Sequence, residues 1–324
     1  MKDKITLKIL GTGSALPEKT VSNEELSRIM DTSDEWIRSR TGIERRHIAV
    51  TETTTSLSVQ AAKKALLDAE VSAAELDLII VASVSPDKCF PSAACEVQSA
   101  LGATGAVAFD INAACSGFLF GLGIAQAYFA AGTFHKALII GAETLSKMMD
   151  WNDRSTCVLF GDGAGAAVVS ADSEGIISMV QGSDGARGEV LSCHNRPVNN
   201  PYVKNDTALD YARMNGQEVY KFAVRTVPEA VLEVLEKGNV KPEDVKYYLL
   251  HQANSRIIES VAKRIGEPLQ KFPTNLQECG NISAGSVPIL LDDIHRQGML
   301  NEGDKIVLAG FGAGLTWGAA LLSW

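Results

Sequence analysis

The chain has 324 residues, 46% hydrophobic and 21% charged, enough to bury a large core as two domains or one duplicated unit. A formal net charge of -9 and a pI near 5.2 argue against a general nucleic-acid binder. No apolar run reaches the roughly 18 residues of a membrane span, and residues 1–7 alternate like a strand rather than reading as a signal peptide, so a cytoplasmic protein that does not enter a membrane is expected.

Residues 4–10 read as a strand running into Gly11-Thr12-Gly13-Ser14, a turn that lacks the spacing of a phosphate loop. Ser22-Asn23-Glu24-Glu25 and Thr32-Ser33-Asp34-Glu35 both read as capping boxes opening short helices. The second helix carries Trp36 and Arg40 on one face and ends at Gly42. An exposed tryptophan beside an arginine could stack on and pair with a nucleotide, but by spacing alone the favoured reading is a core Trp36 beside a solvated arginine. Residues 55–70 form an alanine-rich helix, and residues 76–82 are apolar nearly throughout, as in a strand buried on both faces. A loop at 85–91 leads to a helix near 92–101, then to a strand at 106–111.

That strand runs into Ala113-Ala114-Cys115-Ser116-Gly117-Phe118, and a long helix of small residues follows, roughly 117–131. A cysteine there sits at a helix N-terminus, where free N–H groups and the helix dipole favour a thiolate and lower its pKa. A buried free cysteine can equally be a space-filler. The six cysteines, at 89, 95, 115, 157, 193 and 279, form no CxxC pair and have no matching histidine spacing, so free thiols and no metal are expected. Residues 137–141 read as a further buried strand. Residues 160–169 read as a glycine turn feeding another.

The pattern then starts again. A helix at 228–238 and Val240-Lys241-Pro242-Glu243-Asp244 lead to a strand at 245–250, as residues 72–81 do in the first part of the chain. Lys136-Ala137-Leu138-Ile139-Ile140-Gly141 is matched by Lys305-Ile306-Val307-Leu308-Ala309-Gly310 at nearly the same offset. Gly-Ala-Ala-Val-Val-Ser at 165–170 is echoed by Gly-Ala-Ala-Leu-Leu-Ser at 318–323. Consistent spacing argues for a duplicated α/β unit with a mostly parallel sheet, divided here as residues 1–174 and 175–324. The aperiodic segment 184–214 between the repeats is expected to cover a substrate entrance.

In the second repeat, His251 ends a strand, where open α/β sheets place ligands, although a lone histidine is more often structural. Glu278-Cys279-Gly280-Asn281-Ile282-Ser283 is a turn feeding a helix, which Asn281 could simply cap. Gly310-Phe311-Gly312-Ala313-Gly314-Leu315-Thr316-Trp317-Gly318 is either a tight hairpin or a turn that presents backbone N–H groups.

Taken together, residues 31–37 with 40–43, 113–118, 160–166, 251–254, 280–283 and 316–318 resemble the thiolase-fold condensing enzymes, most closely the β-ketoacyl-acyl carrier protein synthase III family. The resemblance runs from near residue 5 to the C-terminus. It implies two duplicated βαβαβαββ halves in a five-layered αβαβα arrangement. It implies Cys115, His251 and Asn281 as catalytic residues, with the backbone N–H groups of Cys115 and Ala313 as an oxyanion hole. The family often has glycine at the position of Ala313. Degradative thiolases carry a second cysteine near the C-terminal glycine turn, and elongating synthases carry a second histidine where Asn281 stands. Plant-type polyketide synthases share Cys-His-Asn but are usually longer and lack the Trp36–Arg40 segment.

The implied partners are an acyl-CoA and malonyl-acyl carrier protein, with CoA as substrate and no cofactor. Trp36, Arg40, Thr41 and Arg154 are the implied nucleotide contacts, and Met214, Gly216, Tyr220 and Asn254 line the pantetheine channel. Tyr220 often matches phenylalanine in relatives. Phe90 would close the acyl pocket of the partner in a homodimer. Lys221, Arg256, Lys263 and Arg264 are the expected landing site for an acidic carrier protein, against the alternative of an ordinary solvated face. The competing functions are a synthase that condenses an unusual starter in a polyketide or other secondary pathway, and a non-catalytic partner subunit. The intact Cys115, His251 and Asn281 argue against the last.

Overall fold

The computed structural model describes residues 5–205 and 210–324. Residue 4 of the first expected strand and residues 206–209 of the 184–214 segment lie outside those described. The chain begins with β1 (Thr6–Ala15), β2 (Thr20–Ser22), α1 (Asn23–Leu26), α2 (Asp34–Thr41), β3 (Arg45–His47) and α3 (Thr54–Asp68). Then come β4 (Leu78–Ala82), α4 (Ala93–Leu101), β5 (Val107–Ile111), α5 (Gly117–Ala130), β6 (Lys136–Thr144) and β7 (Asp162–Asp172). The remainder is β8 (Ile176–Ser183), β9 (Leu191–Ser192), β10 (Arg213–Met214), α6 (Gly216–Gly238), β11 (Tyr247–Leu250), α7 (Ser255–Ile265), α8 (Leu276–Cys279), α9 (Ser286–Arg296), β12 (Lys305–Gly312) and β13 (Thr316–Ser323).

Two large sheets have the same plan. The first has the order β1-β7-β6-β4-β5 and the second β8-β13-β12-β11. In both, two antiparallel pairings are followed by a parallel one, β6 with β4 and β12 with β11. Strand alternation sorts the apolar side chains into layers. Ile79 and Val81 pack outward with Leu57, Ala61 and Ala65 of α3 and Val97 of α4. Leu78 and Ile80 pack inward with Leu119 and Leu122 of α5, Leu290 and Ile294 of α9, and Leu249, Ile306 and Leu308 of the other sheet. Tyr248, Val307 and Leu321 face outward against Val231 and Leu235 of α6 and Ile258 and Val261 of α7. The layers are therefore α3/α4, sheet, α5/α9, sheet, α6/α7, the expected five-layered arrangement.

Several local readings need correction. Residues 11–14 are part of β1, not a turn. A Cβ at Gly11 would lie 2.4 Å from Ala69 N, and one at Gly13 2.4 Å from the Ala61 carbonyl, so these glycines let α3 lie against the strand. Gly163 and Gly165 are likewise inside β7, where a Cβ at 165 would fall 2.6 Å from Ile289 N of α9. The Ser22/Glu25 capping box is present. In α2 Ser33 caps the Trp36 N–H alone, because the third helical position is Trp36 rather than an acid. Helix α6 starts at Gly216, well ahead of the expected 228, with Pro228 inside it and Asn215 as its cap. The 184–214 segment is partly ordered by a 3₁₀ stretch, Gly185–Val190, and the β9–β10 pair.

Candidate active site

Cys115 lies in a 3₁₀ turn, Ala114–Ser116, between β5 and the N-terminus of α5. Ala114 has φ +45°, a left-handed conformation that costs a non-glycine residue and bends the chain sharply. Asn112 Oδ1 accepts the Ala114 N–H at 3.3 Å and holds that bend. From the second sheet, Thr316 Oγ1 donates to the Ala113 carbonyl at 3.0 Å. Gly312 closes the turn from the side: a Cβ there would lie 2.6 Å from Cys115 N. Cys115 is buried, 8% exposed.

The α9 turn is built to the same design. Ser283 is the counterpart of Ala114 in the repeat, and it has φ +46°. Asn281 Oδ1 accepts its N–H at 2.8 Å, as Asn112 does for Ala114. Ser286 opens α9 as Gly117 opens α5, and Ala284 occupies the place of Cys115. Because Oδ1 is engaged, the Asn281 amide nitrogen is turned away from Ser283 and is available as a donor. Asn281 thus caps a turn through its oxygen, but does not cap α9 itself. Its backbone is pinned by the Gly161 N–H to the Asn281 carbonyl, 3.0 Å, and the Asn281 N–H to the Leu159 carbonyl, 2.9 Å. A Cβ on Gly161 would fall 2.3 Å from the Cys279 carbonyl, which accounts for glycine there.

His251 follows β11 and is 2% exposed. Its N–H donates to the Ala309 carbonyl at 2.8 Å, and its ring packs edge-on to Phe311 at 5.4 Å. A Cβ on Gly310 would lie 3.4 Å from the Cys115 carbonyl and 3.7 Å from His251 Cβ, so both residues flank one strand end. Ring atom Nδ1 is buried without a hydrogen-bond partner among the described residues. Burial pulls the imidazole down to about 3, leaving it neutral at physiological pH.

Burial also pushes the Cys115 thiol up to about 12. The expected lowering by the helix terminus is overridden, because desolvating a thiolate outweighs the opposing hydrogen bond from Ser283. At rest the Cys115 side chain is therefore a thiol. At the third corner, the Ala313 N–H donates to no backbone carbonyl among the described residues. Ala313 is not in the left-handed region; the neighbouring Gly314 is, at φ +131°. A Cβ is accordingly tolerated at 313.

The other expected residues fall into three places. Trp36 is covered by two guanidinium groups, Arg40 at 4.6 Å and Arg154 at 5.1 Å from the ring. Arg154 also pairs with Asp31 at 3.3 Å. Thr41 is buried with its hydroxyl on the Ile37 carbonyl. Asn254 caps α7 through Arg256 N and donates to the Arg40 carbonyl at 3.0 Å, which ties α7 to α2. Met214 ends β10, Gly216 opens α6, and Tyr220 is 39% exposed on the same helix. The start of the 184–214 segment docks on the 313–316 turn through the Asp184 and Leu315 backbones at 2.7 and 2.8 Å. Phe90 is 86% exposed, far from a core role. Arg256, Lys263 and Arg264 are exposed on α7, and Lys221 is exposed on α6. Three of these cations are already engaged, Arg256 with the Ser39 carbonyl at 2.6 Å, Arg264 with the Val224 carbonyl at 2.7 Å and Lys221 with Glu218 at 2.8 Å.

Sequence reading misses Glu143, which is buried next to the Cys115 turn and lacks a recognisable motif, and gives Ser283, in the 280–283 segment, no role of its own. The internal repeat is the available signal, because it aligns the Cys115 turn with the Ser283 turn.

A family model for 3-oxoacyl-[acyl-carrier-protein] synthase III matches residues 109–185, and its C-terminal companion matches residues 235–324. The chain belongs to the β-ketoacyl-acyl carrier protein synthase III family. A synthase III from Clostridium perfringens is 51% identical over 97% of this chain and 98% of its own. The crystal structure of the synthase III from Aquifex aeolicus superposes with a TM-score of 0.91 at 48% identity, covering 98% of this chain and 100% of that one. The priming β-ketosynthase of the R1128 polyketide pathway superposes with a TM-score of 0.92, at 35% identity over 100% of this chain and 98% of its own. Membership of synthase III makes this chain an acyl-transferring condensing enzyme with the thiolase-like fold. Among the described residues, no helix is long and apolar enough to cross a membrane.

Proposed function

We propose that this enzyme primes type II fatty acid synthesis. It transfers an acyl group from acyl-CoA to Cys115, then condenses it with malonyl-acyl carrier protein to give 3-ketoacyl-acyl carrier protein, CoA and CO2. The observation that carries this reading is that Cys115 and a neutral His251 flank one strand end at Gly310, while the turn oriented by Asn281 packs against the Cys115 turn from the other repeat. Residues 1–174 supply the nucleophile and residues 175–324 the His/Asn pair.

Cys115 attacks the thioester and the CoA sulfur leaves. The backbone N–H groups of Cys115 and Ala313 bind the oxyanion. His251 and Asn281 then donate to the malonyl thioester oxygen as decarboxylation puts negative charge on it. A neutral imidazole suits that work, since it donates from one nitrogen without adding a buried cation. The carbanion attacks the acyl carbon on Cys115. No cofactor enters these steps.

Trp36, Arg40, Thr41 and Arg154 hold the CoA nucleotide, with the indole as a stacking platform and the guanidinium groups as phosphate partners. Met214, Gly216, Tyr220 and Asn254 line the pantetheine path, and the 184–214 segment borders its entrance. Exposed Phe90 reaches the acyl pocket of a second copy in a homodimer. Lys221, Arg256, Lys263 and Arg264 receive the acidic carrier protein. The protein works in the cytoplasm. The likeness to the R1128 priming ketosynthase supports an alternative, condensation of an unusual starter in a secondary pathway.

The division of labour is tested by His251→Ala. The variant should still acquire an acyl group from acyl-CoA but lose release of CO2 from malonyl-acyl carrier protein. Equal loss of both steps would overturn it. Comparing acetyl-CoA with branched and aryl starters separates the primary from the secondary pathway.

A further inference from the structure

The two repeats reach their polar turns by different routes. In the first, β5 pairs along its length with β4 and leads into Asn112 and the Cys115 turn. In the second, the described residues form a four-stranded sheet with no counterpart of β5, and the short helix α8 leads into Asn281 instead. Asn281 therefore lacks a strand of its own sheet to fix it. A segment of the first repeat takes that place. Phe160 forms an isolated parallel bridge with Asn281, and the backbones of Leu159 and Gly161 hold the Asn281 N–H and carbonyl at 2.9 and 3.0 Å.

That segment is held in turn by Arg46, the middle residue of β3. Arg46 is fully buried, and among the described residues no carboxylate pairs with it. Its Nη1 donates to the carbonyl of Val21, its cross-strand neighbour in β2, at 3.2 Å. Its Nη2 donates to the Val158 carbonyl at 2.8 Å. The Nε has no partner among the described residues. The side chain packs against the Asn281 junction: a Cβ on Gly161 would fall 3.3 Å from Arg46 Cβ, and one on Gly280 3.4 Å. The residues just before Arg46 grip the chain that enters Asn281. The Glu44 N–H donates to the Gln277 carbonyl at 3.0 Å, and Arg45 pairs with Glu278 at 3.2 Å. A buried guanidinium without a counter-ion is costly. An apolar side chain of similar size would fill the space but could not hold two carbonyls at once.

We propose that Arg46 is a positioning residue for Asn281: it anchors the 158–161 segment, and that segment sets where the Asn281 amide donates. The inference rests on the reading of Asn281 as a donor to the malonyl thioester oxygen. Because Asn281 Oδ1 is engaged by the Ser283 N–H, the aim of the amide follows the placement of the Asn281 backbone. Neither hydrogen bond of Arg46 reaches the Cys115 turn. Decarboxylation, not acyl transfer, is therefore the step that depends on it. A shift of about 1 Å in such a donor costs about 100-fold in rate.

The test measures the two steps separately in the full-length protein: acylation of Cys115 by acyl-CoA, followed by intact mass, and release of CO2 from malonyl-acyl carrier protein. Arg46→Met removes both hydrogen bonds and should slow CO2 release about 100-fold. Arg46→Lys keeps the charge but reaches one carbonyl at a time, and should slow it about ten-fold. Both should acylate Cys115 at the wild-type rate, which also shows that they are folded. If Arg46→Met does not fold, Arg46→Lys decides. In an Asn281→Ala background, Arg46→Lys should cost nothing further, since a residue that acts through Asn281 has nothing left to position. Equal slowing of both steps, wild-type CO2 release in Arg46→Lys, or a ten-fold loss that persists beside Asn281→Ala would overturn the inference, as would failure of both variants to fold. Wild-type CO2 release in Asn281→Ala alone would instead remove the premise that Asn281 acts on the malonyl group.

Discussion

Gly312→Ala adds one methyl group where the second sheet closes against the Cys115 turn. An ideal Cβ there would lie 2.6 Å from Cys115 N, 3.0 Å from Cys115 Cβ and 3.2 Å from Ala114 Cβ. Carbon contacts normally settle near 3.5–4.0 Å, so the Cys115 turn must retreat by about 1 Å. The turn has little room to do so, since Thr316 holds the Ala113 carbonyl and a Cβ on Gly117 would already meet Ala82 Cβ at 2.7 Å. Gly312 is not in the left-handed region, so backbone strain does not enter and the effect is steric. Overpacking of this kind costs about 1–3 kcal/mol of stability. A displacement of a nucleophile by about 1 Å costs about 100-fold in rate. The variant should keep its fold, melt a few degrees lower and lose about 100-fold in kcat/KM for condensation. Gly105→Ala, where a Cβ meets nothing within 4 Å, is the control and should behave as wild type. The assay is product formation from acyl-CoA and malonyl-acyl carrier protein, with circular dichroism melting beside it. Wild-type kcat/KM in Gly312→Ala would refute the account of how the second sheet positions Cys115.

The remaining expectations concern His251 and Trp36. His251 is held neutral to about 3 in the folded state, whereas the unfolded chain protonates it at its ordinary value near 6.5. Its contribution to stability is therefore complete above about pH 6.5 and is lost as the pH falls towards 3, at about 1.4 kcal/mol per pH unit. Chemical unfolding of wild type and His251→Gln should differ by a constant amount above pH 7 and converge below it; parallel curves would contradict the neutral imidazole. Trp36→Ala should raise KM for acyl-CoA about ten-fold, as loss of one stacking contact does. The same substitution should leave KM for an acyl-pantetheine unchanged, because that substrate has no nucleotide, and an equal rise for both would place the nucleotide elsewhere.

The proposed catalytic triad is legible in the sequence because strand ends and turns leave strong local marks. Cys115, His251 and Asn281 each follow an apolar strand or a glycine, and the internal repeat aligns the two halves. Burial is a tertiary property and is not legible. It reverses the expected pKa of Cys115 and raises the carboxyl of Glu143, a residue that carries no motif. The glycines at 11, 13, 163 and 165 read as turns because the same residue serves tight bends and close helix contacts, and only the packed partner distinguishes them. The sequence pattern starts α6 at Pro228 because proline usually opens a helix. In the fold, Asn215 caps it well before that point and tertiary packing carries the proline.

The most direct measurement is the intact mass of the protein after mixing with a panel of acyl-CoAs. The account predicts one added acyl group, located on Cys115 by peptide mapping and absent in Cys115→Ser and Cys115→Ala. An adduct that survives in those variants, or none with any acyl-CoA, would contradict it.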